Sequence, residues 1–135
     1  MDMKPPIMLS SFDMERIEQL LDSSTYRNAP AVDALHETLR RAQVVLPENI
    51  PADVVTMNSA VRFVDDTDTE HVLKLVYPHQ AKAHDVVSVM APVGSALLGL
   101  SVGQSVACQS PVGRELQLRV LEVTYQPEAN GEYHL

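Results

Sequence analysis

The stretch VVSVMAPVGSALLGL, Val86 to Leu100, decides how the second half of the chain is read. It carries no charge, yet it holds Pro92, Gly94 and Gly99. A buried strand does not readily contain a proline and a glycine, because each weakens or removes ladder bonds. A buried helix does not readily open on β-branched and small residues. The run therefore divides. VVSV is a short strand, and GSALLG is a helical turn bounded by glycines, with an uncharged proline-containing segment between them.

Outward from this stretch, apolar residues alternate as in strands. AVRFV places Val61 and Phe63 on one face. EHVLKLVY places Leu73, Leu75 and Tyr77 on one face, with Val72 and Val76 around Lys74 on the other. DDTDT between them is a turn, and PHQAKAHD is a loop. QSVACQ is a strand, SPVG a tight turn, and RELQLRVLEVTY a long last strand. That strand changes phase: Leu116, Leu118 and Val120 share one parity, Leu121, Val123 and Tyr125 the other. A one-residue slip exchanges faces, so a β-bulge or sharp twist is predicted near Val120 and Leu121. The tail QPEANGEYHL is polar and is expected to be loose.

Before Pro47 the period is helical. Ser10 with Asp13 makes a capping-box-like start, and Met14, Ile17 and Leu21 form a narrow stripe. After the polar break DSSTYRNAP, Pro30 opens a second helix. Its stripe runs through Val32, Leu35, Leu39, Ala42 and Leu46. Acids come early (Asp33, Glu37) and bases late (Arg40, Arg41), as the helix dipole prefers. The two helices either pair as a projecting or semi-projecting hairpin or pack on the sheet. So narrow a stripe favours pairing.

The expected class is thus α+β. A short, coiled-coil-like antiparallel helical hairpin occupies 1–47. A mostly antiparallel sheet of about five strands, with one short helix against it, occupies 52–135.

Composition narrows the functions. The 135 residues carry a formal net charge of −8, with ten basic residues against eighteen acidic. Gripping a nucleic-acid backbone needs clustered Lys and Arg, so direct nucleic-acid binding and an anionic membrane surface are both disfavoured. A protein partner fits better. The single cysteine, Cys108, forbids an internal disulfide and reads as a small core thiol. No apolar run resembles a signal peptide or reaches membrane-spanning length, which predicts a soluble cytoplasmic protein.

No glycine-rich phosphate loop is present. Of the five histidines only His79 and His84 lie close, with no further ligand at metal spacing. Asp65, Asp66 and Asp68 lack the glycine and distal glutamate of a calcium loop and read as a charged turn. Neither a catalytic set nor a metal or other cofactor is expected.

The run Val54 to Tyr125 resembles the C-terminal domain of the Gre transcript-cleavage factors. The likeness lies in the strand ending in serine–valine, the proline loop, the small-residue turn ending in leucine and glycine, and the last strand ending near a tyrosine. The motifs DVVTMNS, LVYP, SVMAPVG, ALLGL and YQPEA, with DMERI and DALHETLRRAQ, extend the likeness over nearly the whole chain. They resemble a short-hairpin branch of that family, the bacterial nucleoside diphosphate kinase regulators.

The resemblance implies an FK506-binding-protein-like (FKBP-like) sheet domain. It also implies RNA polymerase as partner, docked near the secondary channel through the loop Met90, Ala91, Pro92 and Val93. Gre factors carry an acidic motif at the hairpin tip that helps hold a catalytic metal in the polymerase. Here the tip is Asp22, Ser23, Ser24, Thr25, Tyr26 and Arg27, with one acid in it. A magnesium site wants several oxygen ligands. A short hairpin on an intact docking domain thus implies a non-enzymatic monomer that competes with or tunes Gre-like factors.

Two alternatives remain open. One is a prolyl isomerase or chaperone-like peptide-binding domain, which two Phe, four Tyr and no Trp furnish poorly. The other is residual cleavage chemistry through Asp22. On the polymerase-docking reading, Met90 to Val93 is an exposed apolar loop, uncharged because a partner covers it. Leu97, Leu98 and Leu100 are then offered to the core.

Overall fold

A computed structural model describes residues 7–22, 31–80, 85–109 and 115–131. In chain order the elements are strand β1 (Met8–Ser10), helices α1 (Ser11–Asp22) and α2 (Ala31–Arg41), and strands β2 (Gln43–Val45), β3 (Ala60–Val64), β4 (Glu70–Val76) and β5 (Val86–Ser88). Helix α3 (Pro92–Leu97) and strands β6 (Ser105–Gln109) and β7 (Glu115–Tyr125) complete them. The class is α+β. Five strands run in the order β5-β4-β3-β7-β6, antiparallel except at β4–β5, and β1 and β2 form a separate parallel pair.

The sheet follows the alternation of its sequence. β3 buries Val61 and Phe63, and β7 buries Leu118 and Val120 before its inward parity switches to Leu121, Val123 and Tyr125. The predicted bulge is present. Arg62 pairs with Glu122 and Phe63 with Val120, which leaves Leu121 without an opposite residue. A second slip leaves out Thr124. Two bulges within one pairing add twist and curl the sheet around its apolar face.

The opening stretch resolves into strand, turn and helix. Met90 and Ala91 turn the chain: the Ala91 N–H donates to Ser88 O at 3.0 Å, and the Met90 N–H donates to Ser88 Oγ at 3.0 Å. The helix then begins at Pro92, earlier than Gly94. A proline at the first helical position loses no bond, because that N–H has no intrahelical partner. The expectation of an exposed loop over Met90 to Val93 is therefore corrected. Val93 belongs to the helix, and Met90 and Val93 are half-buried against the core. Gly94 lies over the end of β5, where a Cβ would stand 2.0 Å from Ser88 O. Gly99, at φ +83°, lets the chain turn away beside Ile7, which a Cβ would meet at 2.9 Å.

Helix α1 starts as expected, with Ser10 Oγ accepting the Asp13 N–H at 3.0 Å. The second helix ends sooner than its stripe implied. α2 stops at Arg41, and Gln43–Val45 pairs with β1, the Gln43 N–H donating to Ile7 O at 3.0 Å. Pro47 holds Leu46 extended (φ −67°, ψ 150°), so Leu46 leaves the stripe and is 54% exposed.

The described parts of the two helices do not stand clear of the sheet. Ile17, Leu21, Val32, Leu35 and Leu39 join one core with Val55, Met57, Leu75, Leu97, Leu98 and Leu100. Nor is the start of the tail loose. Gln126 and Glu128 are buried, and Gln126 Nε2 donates to Pro51 O at 2.7 Å and Val54 O at 2.8 Å. Gln126 thus serves two backbone carbonyls outside the strands, and Glu128 accepts the Thr56 hydroxyl. Cys108 is a buried free thiol, and burial pushes its pKa up.

Candidate functional site

Two places gather side chains of interest. The first is an apolar groove of about 360 Å³. β3 and β4 supply Phe63 and Leu73, β5 supplies Val86 and Val87, β7 supplies Leu116 and Leu118, and the start of α3 supplies Ala91 and Val93. Two of the four loop residues singled out from the sequence thus line it. Met90 packs on the core beside it, and Pro92 opens the helix that forms its edge. Of the hairpin-tip residues, Asp22 is exposed at the end of α1, and Ser23, Ser24, Thr25, Tyr26 and Arg27 lie outside the described residues.

Two polar residues also line the groove, and the sequence reading did not place them there: Asp65 and His71. Phe63 and His71 are register partners across the β3–β4 turn, with rings stacked at 5.1 Å and 21°. Asp65 Oδ2 faces His71 Nε2 at 3.0 Å. Asp65 Oδ1 accepts from the Thr67 N–H at 2.9 Å, the Thr67 hydroxyl at 2.6 Å and the Thr69 N–H at 3.2 Å. The Thr67 hydroxyl above all, then His71, hold this carboxyl well below the usual range. The available signal was parity. A hairpin centred on DDTDT places the residues at 63 and 71 opposite each other.

The second place is a buried polar hub where three of the quoted motifs meet. Asp13, from DMERI, is 1% exposed, and its Oδ2 accepts the Met57 N–H at 3.1 Å. Thr56 and Ser59, from DVVTMNS, bond each other, and the Thr56 hydroxyl donates to Glu128 Oε1, from YQPEA, at 2.7 Å. Burial raises the Asp13 pKa to about 7, against the pull of the Met57 N–H, with Glu128 adding to the rise. The hub ties α1, the segment before β3 and the C-terminal turn together. All four of its side chains are buried.

A wider, polar groove of about 620 Å³ runs between α1 and α2, lined by Met14, Glu18, Asp33, His36, Leu39 and Arg40. Among the described residues no three acidic, histidine or cysteine side chains are grouped to hold a metal, and no helix is long and apolar enough to cross a membrane.

Comparison with known proteins bears on these sites. Residues 50–125, over half of the chain, match the family model described as transcription elongation factor GreA/GreB, C-terminal, and residues 5–45 match the Rnk N-terminus. The chain is 48% identical over 134 residues to the regulator of nucleoside diphosphate kinase of Escherichia coli K12, covering 98% of each. It is 34% identical over 97 residues to GreA of Helicobacter hepaticus, covering 70% of this chain and 59% of that one. A solved structure titled prokaryotic transcription elongation factor GreA/GreB from Nitrosomonas europaea superposes with a TM-score of 0.73 at 48% identity. It covers 90% of this chain and all of that one. The groove, the loop at its edge and the hub residues Asp13, Thr56 and Ser59 fall on matched segments, and the chain belongs to the GreA/GreB transcription elongation factor family, among relatives named regulators of nucleoside diphosphate kinase.

Proposed function

We propose that this protein is a non-enzymatic regulator that binds RNA polymerase near its secondary channel and competes with or tunes Gre-like factors. The observation that carries this reading is the position of Ala91 and Val93. The loop that resembles the Gre docking loop forms one wall of an apolar groove open to a partner. An apolar, largely preformed groove costs a partner little ordering on binding. The two N-terminal helices then act as a shortened hairpin, and 52–135 as an FKBP-like docking module. The tip carries one acid, Asp22, so it lacks the carboxylates to deliver a metal for transcript cleavage. The protein acts in the cytoplasm as a monomer, and it regulates nucleoside diphosphate kinase, as the name of its relatives says of them.

A peptide isomerase is the lesser reading. The groove's rings are Phe63 and His71, and the rest of its lining is mostly aliphatic.

The test is a pull-down with bacterial core RNA polymerase. Wild-type protein is expected to bind, Pro92→Asp to weaken binding, and excess GreA to displace it. Failure of the wild type to bind, or binding indifferent to both perturbations, overturns the reading. Stimulated RNA cleavage in backtracked complexes, abolished by Asp22→Ala, overturns its non-enzymatic part.

A further inference from the structure

The groove is apolar at every lining position but two, and those two, Asp65 and His71, are bonded to each other. We propose that Asp65, oriented by His71, makes the groove selective for a protein segment that sets a lysine or arginine beside an apolar anchor side chain. This rests on the docking reading above and names the chemistry of the partner that the same site takes.

The Asp65 carboxylate is fixed at both oxygens. Three donors from Thr67 and Thr69 hold Oδ1, while the His71 ring, stacked on Phe63, holds Oδ2. A carboxylate so served stays ionised and cannot swing out to water when a partner arrives. The Asp65 side chain is 16% exposed and that of His71 40%, so the pair sits at the rim, where a partner both reaches and covers it. Covering a fixed negative charge without compensation is costly, and a neutral partner would meet that cost in full. A hydrogen bond from the His71 ring orients the carboxylate but does not by itself meet that cost. A cation from the partner does, through a charge-assisted bond at the edge of an apolar contact. The net charge of −8 steers the same way, drawing basic surfaces and repelling acidic ones. Glu70, just beyond the turn, is already paired with Arg62, so it does not compete for the incoming cation.

The experiment measures the dissociation constant of the full chain for bacterial core RNA polymerase across a salt series. Asp65→Asn keeps an acceptor for Thr67 and Thr69 but removes the charge. It is expected to weaken binding at least tenfold and to flatten the salt dependence, because a screened ion pair has been lost. Pro92→Asp is expected to weaken binding while leaving a salt dependence. Should Asp65→Asn disturb the turn, Thr69→Lys sets a cation beside the carboxylate without altering its main-chain bonds, and the same loss is expected. Wild-type affinity and salt slope in Asp65→Asn and Thr69→Lys, with Pro92→Asp still defective, overturn this inference and leave the docking reading standing. Indifference of all three variants overturns the docking reading, and the inference with it.

Discussion

Asp13 stands at the third position of α1, where a carboxyl ordinarily reaches back to cap the helix. Here it turns away and takes the Met57 N–H, 44 residues on, inside the core. Its Oδ1 has no hydrogen-bond partner among the described residues. Burial favours the neutral form, so the folded pKa of about 7 lies above the unfolded value of 3.8. The folded protein therefore holds an extra proton between those values. The stability tied to this group is full below pH 3.8, falls as pH rises towards 7, and is flat above that, a change of about 4 kcal/mol at most. Chemical denaturation of wild type and Asp13→Asn from pH 4 to 8 should show that fall only in the wild type. Parallel pH profiles would place Asp13 outside the titration. A second residue-scale prediction concerns Gly94. Alanine there meets Ser88 O at 2.0 Å, a backbone atom that cannot move without opening β5. Gly94→Ala should cost about 2–3 kcal/mol, read as a lowered urea midpoint, whereas Gly103→Ala, with open space around it, answers only to its positive φ.

At the scale of the element, α2 and β2 divide what reads as one amphipathic stripe. Leu35 is fully buried and Leu46 is 54% exposed, although a helix running to Pro47 would bury both. Leu35→Ala should destabilise by about 2–5 kcal/mol, while Leu46→Lys should stay within about 0.5 kcal/mol of wild type. Equal losses at both would restore the longer helix. The same comparison shows what the chain's pattern could reveal. β3, β4, β6 and β7 were legible because half-buried strands alternate, and the flip at Val120–Leu121 even located a bulge. β1 and β2 were not, because three residues are too few to show a period and each exists only through the other. The tail misled for a different reason. Gln126 and Glu128 are polar and so read as solvated, yet their partners at 51, 54 and 56 lie more than 70 residues away. The groove was half legible. Its wall at Ala91 and Val93 came from a motif, whereas Asp65 and His71 needed the hairpin register.

At the scale of the whole molecule, the helices and the sheet bury their apolar faces in each other. Leu35 and Ile17 meet a core that also holds Met57, Leu97 and Leu98, and the hub bonds Asp13 and Glu128 to the segment between them. A proline-containing linker at 47–51 suggests separable modules to the eye, but a module is separable only if its own core closes. Residues 52–135 alone would lose Ile17, Leu21, Leu35 and Leu39 from the core they share with Val55, Met57, Leu97, Leu98 and Leu100. They would also strand the Met57 N–H without its acceptor. At about 25 cal/mol per Å² of apolar surface, uncovering several such side chains removes much of the few kcal/mol that keep a small domain folded. A fragment of 52–135 should therefore lose its near-UV circular dichroism and bind a hydrophobic dye, while the full chain unfolds in a single transition by both fluorescence and far-UV signals. A fragment that melts cooperatively, with dispersed amide resonances, would show that the core divides. The helices would then be an arm carried by an independent docking domain rather than one side of it.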